Sequence, residues 1–382
     1  MSDDSAQLAV PARELLEKLI GCRSVTPKDG GALDLASQHL QAAGFACERL
    51  DCRGVANLYA QLNPSQQPAL VFSGHVDVVP PGDDAAWSSP PFVATERDGN
   101  LYGRGACDMK AGVACMIAAA CAYARNPESG SLALMLTSDE EGEAVSGTRH
   151  IVETLAGRGS RFAYGIIGEP SCARQIGDTI RIGRRGSLVA QIEFTGVQGH
   201  IAYPARIKNP IEALAAAICL LKKREFSAPE GLEPTHLTFV SVAADAGASN
   251  VVPRIARARL GIRNSIADRG ADLMSWVEES LATFDCQCSC SWRTYSQPYL
   301  GERDGRLVKV LTKACESLHG CTPALSAGGG ASDGQFLRRI CDEMVEFGCV
   351  GESMHKVDEH VKIADLGALA ATYLHCARSL LA

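Results

Sequence analysis

Four short motifs carry side chains suited to metal-assisted chemistry: Ser73-Gly74-His75-Val76-Asp77, Gly103-Arg104-Gly105-Ala106-Cys107-Asp108-Met109-Lys110, Thr137-Ser138-Asp139-Glu140-Glu141-Gly142 and Gly168-Glu169-Pro170. Strand residues two apart share a face, so His75 and Asp77 point the same way. That spacing suits a ligand histidine whose second ring nitrogen is held by a carboxylate. Asp139, Glu140 and Glu141 are consecutive acids that repel one another unless cations lie among them. Taken singly, each motif also fits a plainer role: a strand-edge histidine, a helix-capping Asp, a solvated acidic loop, an ordinary strand end.

The elements that must position these residues alternate along the first part of the chain. Ala56–Leu62, Ala69–Ser73, Leu132–Thr137 and Ala163–Ile167 read as strands. Helical patterns run through Leu15, Leu16, Leu19 and Ile20, from Ala32 to a stop at Gly44, from Lys110 to Tyr123, and near Ser146–Leu155. The alternation predicts an α/β domain, a mixed sheet with helices on both faces. Sheets of this kind hold their sites beyond the carboxyl ends of the strands, where all four motifs fall.

From about Ile182 the pattern changes. Strands at Ser187–Phe194, His236–Ser241 and Ile255–Arg263 are separated by helices at Ile211–Lys222 and around Leu273, Trp276, Val277 and Leu281. This order predicts β-α-β-β-α-β, a ferredoxin-like α+β unit. The α/β pattern resumes near Tyr299, with helices at Leu307–Leu318 and Ile363–Leu381. The expected organisation is a catalytic domain from residues 1–182 and 299–382, interrupted by an inserted domain at 183–298.

The chain of 382 residues carries a net charge of −7 and no basic run, which argues against a nucleic-acid partner. No uninterrupted apolar stretch nears the ~18 residues of a membrane helix. The acidic start, Met-Ser-Asp-Asp-Ser, lacks the features of a signal peptide. Sixteen cysteines are scattered, without a C-x-x-C pair, and several, such as Cys115, Cys121 and Cys219, lie in apolar segments. They read as reduced, core-filling thiols, and the expected compartment is the cytoplasm. Cys286, Cys288 and Cys290 alternate as one face of a strand would.

Together with Met354-His355-Lys356, the four motifs resemble the co-catalytic zinc peptidase and aminoacylase family, and within it the succinyl-diaminopimelate desuccinylase branch. The resemblance runs in order over nearly the whole chain. It takes in Trp87-Ser88-Ser89-Pro90-Pro91-Phe92, Gly183-Arg184-Arg185-Gly186-Ser187, the segment from Gly196 to Pro204, and Gly330-Ala331-Ser332-Asp333-Gly334. It implies two Zn²⁺ per subunit, with Co²⁺ able to substitute, bridged by Asp108. His75 and Glu169 would complete one site, and Glu141 and His355 the other. Glu140 would be the general base, and Asp77 would support His75. His200 would stabilise the oxyanion from the partner subunit of a homodimer joined through the inserted domain. Arg184, Arg263, Asn250, Tyr203, Gly330 and Ser332 match substrate-contacting positions, the two arginines as carboxylate forks. A cis peptide between Asp108 and Met109 is also implied.

The small-molecule reaction implied is hydrolysis of N-succinyl-LL-2,6-diaminopimelate to succinate and LL-2,6-diaminopimelate, in lysine and diaminopimelate biosynthesis. A related deacylase, such as acetylornithine deacetylase, or a small-peptide carboxypeptidase is the alternative. Two departures bear on that choice. Ala331 stands where the branch has Thr, and Gly351 where it often has Asn, so each removes a hydrogen-bonding side chain.

Overall fold

A computed structural model describes residues 3–127, 130–229 and 232–382. The chain divides into two units. One holds the residues up to Ile182 with Gly301–Ser326 and Asp333–Ala382, and the other holds Gly183–Leu300 with Ala327–Ser332.

The first unit is built on an eight-stranded mixed sheet, in the order Ala46–Arg49, Asn57–Gln61, Ser131–Thr137, Pro68–His75, Phe162–Ile167, Cys341–Glu346, Thr179–Arg181, Ala324–Ser326. The four middle strands, from Ser131–Thr137 to Cys341–Glu346, run parallel. Ser131–Thr137 is buried along its whole length and Pro68–His75 nearly so. Continuous apolar runs are what strands covered on both faces require. The helices Asp3–Gly21, Ala111–Arg125 and Ile363–Leu381 pack against one another.

One helical stretch, Ala106–Arg125, is long and apolar enough to cross a membrane by length and composition. The stretch is instead almost wholly buried as a core helix. Its small residues allow close approach. A side chain at Gly112 would put Cβ 2.2 Å from the Gly168 carbonyl oxygen, so only glycine lets the helix meet the strand end that carries Glu169.

The turn ahead of this helix is irregular. Gly105 takes φ +80°, and a Cβ there would lie 2.3 Å from Val78 Cγ1. Asp108 has φ −118° and ψ 101°, and the Asp108–Met109 peptide is cis. The regular helix begins only at Ala111, so Asp108 is not its N-cap.

The second unit is an antiparallel sheet in the order His236–Ala243, Ile255–Asn264, Gly186–Thr195, Gln287–Ser296. Along Ile255–Asn264 every second residue is buried, the pattern of a sheet packed on one face. That face meets the helices Pro210–Lys222 and Gly270–Leu281 through Leu188, Ile192, Phe194, Leu214, Leu221 and Val277. Cys286, Cys288 and Cys290 pack partly buried against the same core, and all sixteen cysteines are free thiols.

Candidate metal centre

Parallel strands bring the motifs to one edge of the large sheet. His75 closes Pro68–His75, Glu140 and Glu141 follow Ser131–Thr137, and Glu169 follows Phe162–Ile167. Asp108 arrives from the irregular turn, and His355 from the loop beyond Cys341–Glu346. His75 Nε2 lies 3.2 Å from Asp108 Oδ1 and 3.6 Å from Glu169 Oε1. His355 Nε2 lies 3.2 Å from Asp108 Oδ2 and 2.8 Å from Glu141 Oε1.

Two donor trios therefore share Asp108: His75, Asp108 and Glu169, and Asp108, Glu141 and His355, each with ligand atoms within 4.8 Å of one another. Nitrogen and oxygen ligands at ~2.1 Å around a tetrahedral Zn²⁺ stand ~3.4 Å apart. The separations here fit a pair of such cations. His75 Nδ1–H donates to the Asp77 backbone carbonyl at 2.9 Å, which leaves Nε2 as the nitrogen able to ligate.

The electrostatics express the same crowding of charge. Burial opposes a charged His75, but the bond to Asp108 and the charges of Glu140 and Asp77 outweigh it and hold its pKa well above the usual value. Bonds to Asp108 and Glu141 push His355 up to about 10. Burial disfavours the Asp108 carboxylate, yet the two histidines hold its pKa below the ordinary carboxylate range. Glu140 is pushed well up by burial and by the negative charge of Glu169. Burial, with the charges of Asp77 and Asp139, raises the Asp333 carboxyl to about 7 although Thr148 donates to it at 2.6 Å.

The supporting contacts differ in part from expectation. Asp77 was expected to hold His75 through its carboxylate, but that carboxylate lies 3.6 Å from Nδ1, and the backbone carbonyl makes the bond instead. The Asp77 carboxylate accepts the N–H groups of Glu140 at 3.3 Å and Glu141 at 3.1 Å, which orients the acidic loop. Asp139, the first acid of that loop, accepts from the N–H groups of Glu143, Val145 and Ser146. Sequence reading gave no role to Asp139, Asp333 or Glu359. Glu359 is 1% exposed and binds the Asp108 turn from a segment that reads as ordinary charged loop.

The remaining predicted residues lie in the second unit. Arg184 is buried, with Nη1 3.5 Å from the Gly330 carbonyl, and Ser332 Oγ lies 3.3 Å from the Tyr299 hydroxyl. Arg263 is exposed and donates to the Ser187 hydroxyl. His200, Tyr203 and Asn250 are exposed together. The Ala202 N–H donates to His200 Nδ1 at 3.1 Å, which leaves the ring proton on Nε2. Asn250 Nδ2 lies 3.2 Å from that nitrogen. Of the two departures, Ala331 is exposed, whereas the Gly351 N–H already donates to the Cys172 carbonyl at 3.0 Å. The Gly351 backbone N–H is therefore not free to replace a missing side chain.

Comparison with known proteins places this geometry. A succinyl-diaminopimelate desuccinylase of Caulobacter vibrioides is 41% identical over 365 residues, covering 94% of this chain and 93% of that protein. One of Alkalilimnicola ehrlichii is 42% identical over 371 residues, covering 96% and 98%. Among solved structures, an M20 family metallo-carboxypeptidase of Sulfolobus solfataricus superposes with a TM-score of 0.75 at 16% identity, over 100% of both chains. A dinuclear metal-binding M20 peptidase of Bacillus subtilis gives 0.73 at 15% identity, over 98% of this chain and 99% of that one. These structures share the fold. With residues 71–379 matching the family model as well, the chain belongs to Peptidase family M20/M25/M40.

Proposed function

We propose that the chain hydrolyses N-succinyl-LL-2,6-diaminopimelate to succinate and LL-2,6-diaminopimelate, in lysine and diaminopimelate biosynthesis. The observation that carries this reading is identity of 41% and 42%, over nearly the full length, to proteins named for that activity. His75, Asp108 and Glu169 would hold one divalent cation, and Asp108, Glu141 and His355 a second. The mixed imidazole and carboxylate donors favour zinc, with cobalt able to substitute. When bound, such a pair supplies Lewis acidity, acidifying a water and polarising an amide oxygen.

The chain's own groups do the rest. Glu140, with its raised proton affinity, takes the proton of the attacking water and delivers it to the leaving amine. Asp77 holds the loop that presents Glu140. His200 of the partner subunit donates its Nε2–H to the developing oxyanion, in a homodimer formed through the second unit. The Ala202 contact supports that role, because it leaves the proton on Nε2. Arg184 and Arg263 take the substrate carboxylates, with Asn250, Tyr203, Gly330 and Ser332 shaping the pocket. All sixteen thiols being free fits a reducing, cytoplasmic compartment.

Steady-state rates test the substrate. With zinc or cobalt supplied, kcat/KM for N-succinyl-LL-2,6-diaminopimelate should exceed that for N-acetylornithine or a dipeptide by about 10²-fold or more, since a site built for a carboxylate rejects analogues lacking it. Preference for acetylornithine would replace this reading with the deacetylase.

A further inference from the structure

We propose that Glu359 is a positioning residue of the metal centre, holding the Gly103–Asp108 turn so that the two oxygens of Asp108 face His75 and His355. The inference rests on the reading that Asp108 bridges two cations.

Glu359 Oε1 accepts the N–H of Cys107 at 2.9 Å and that of Asp108 itself at 2.9 Å. Oε2 accepts the Gly105 N–H at 3.0 Å and Arg104 Nη1 at 2.6 Å. An ionised carboxylate offers about four acceptor sites, so these four donors use it fully. The Glu359 backbone carbonyl takes a fifth bond, from the Gly103 N–H at 2.9 Å.

The turn needs such a partner. Gly105 is left-handed and the regular helix starts only at Ala111; the Ala106 N–H reaches the Gly103 carbonyl at 3.0 Å, while those of Gly105, Cys107 and Asp108 go to Glu359. The segment that ends in Glu359 also carries His355, whose φ is +62°. Arg104 Nη1 donates to the Lys356 carbonyl at 3.1 Å, and Asp358 accepts the Ser88 N–H at 2.8 Å and the Ser88 hydroxyl at 2.6 Å. Five consecutive residues thus supply one candidate ligand and fix the backbone of the shared one.

Glutamine is the discriminating replacement. It keeps the size but has one acceptor oxygen, and its NH₂ would face N–H donors in either orientation. Aspartate keeps the charge but falls one methylene short. Wild type, E359Q and E359D are stripped with a chelator, then titrated with Co²⁺ while visible absorption and chelator competition are followed. Metal-free E359Q should keep the wild-type far-UV spectrum and a single unfolding transition. Its affinity for at least one Co²⁺ should fall about 10–100-fold, with altered absorption, and E359D should lie between.

Wild-type affinity and absorption in E359Q would overturn the proposal, as would a weakening that merely tracks the folded fraction. If E359Q does not fold, the same two readouts on E359D decide. A wild-type chain that takes up fewer than two Co²⁺ overturns the underlying metal-centre reading, and this proposal with it. The E359Q results overturn the proposal alone.

Discussion

Protonated histidines do at His75 and His355 what cations would do: they neutralise carboxylates packed together. His355 is the clearer case, with its pKa pushed up to about 10 by Asp108 and Glu141. A raised histidine pKa stabilises the fold fully below the unfolded value of about 6.5, and the contribution is lost as pH climbs through the folded value. In metal-free protein, the stability difference between wild type and H355A should therefore be largest below about pH 6.5 and vanish above about pH 10. Denaturant unfolding across that range checks it. Cation uptake runs the other way, because ligation takes the neutral ring and must release protons. At this scale the five candidate ligands were legible only as a set, each having a plainer use alone. The Asp77 contact was misjudged because side-chain alternation fixes direction but not distance: the carboxylate faces His75 yet stops 3.6 Å away.

Among the elements, the helix Ala111–Arg125 shows how packing places Glu169, a candidate ligand. Replacing Gly112 by Ala gains up to ~1 kcal/mol of helix propensity. The added methyl, however, would meet the Gly168 carbonyl, backbone that cannot rotate away. Overpacking of this kind costs ~1–3 kcal/mol, so G112A should lower Tm and weaken cation binding at the trio containing Glu169. Thermal melts with and without Zn²⁺ measure both; a wild-type melt would mean that the close approach does not place Glu169. Strand and helix identities were readable because burial imposes periods of 2 and 3.6. The short hairpin Thr95–Arg97 with Asn100–Tyr102 escaped, since three residues carry no period.

For the whole molecule the decisive matter is which chain completes which site. E140A should cost about 10²–10⁴ in kcat, and H200A about 10²–10³. If His200 acts across a two-fold dimer, mixing and re-equilibrating the two variants should restore about a quarter of wild-type activity, because half the dimers are mixed and each holds one intact site. Activity that stays at the level of the variants would place His200 in its own chain or outside the reaction. The sequence by itself determined the family, the alternation that builds the large sheet, and the donor types of the candidate metal centre, because residue type and local period encode burial and chemistry. Only the tertiary structure decided what holds those donors in place. The bond from the Asp108 N–H to Glu359 joins residues 251 apart, and a contact made by folding leaves no period in the sequence.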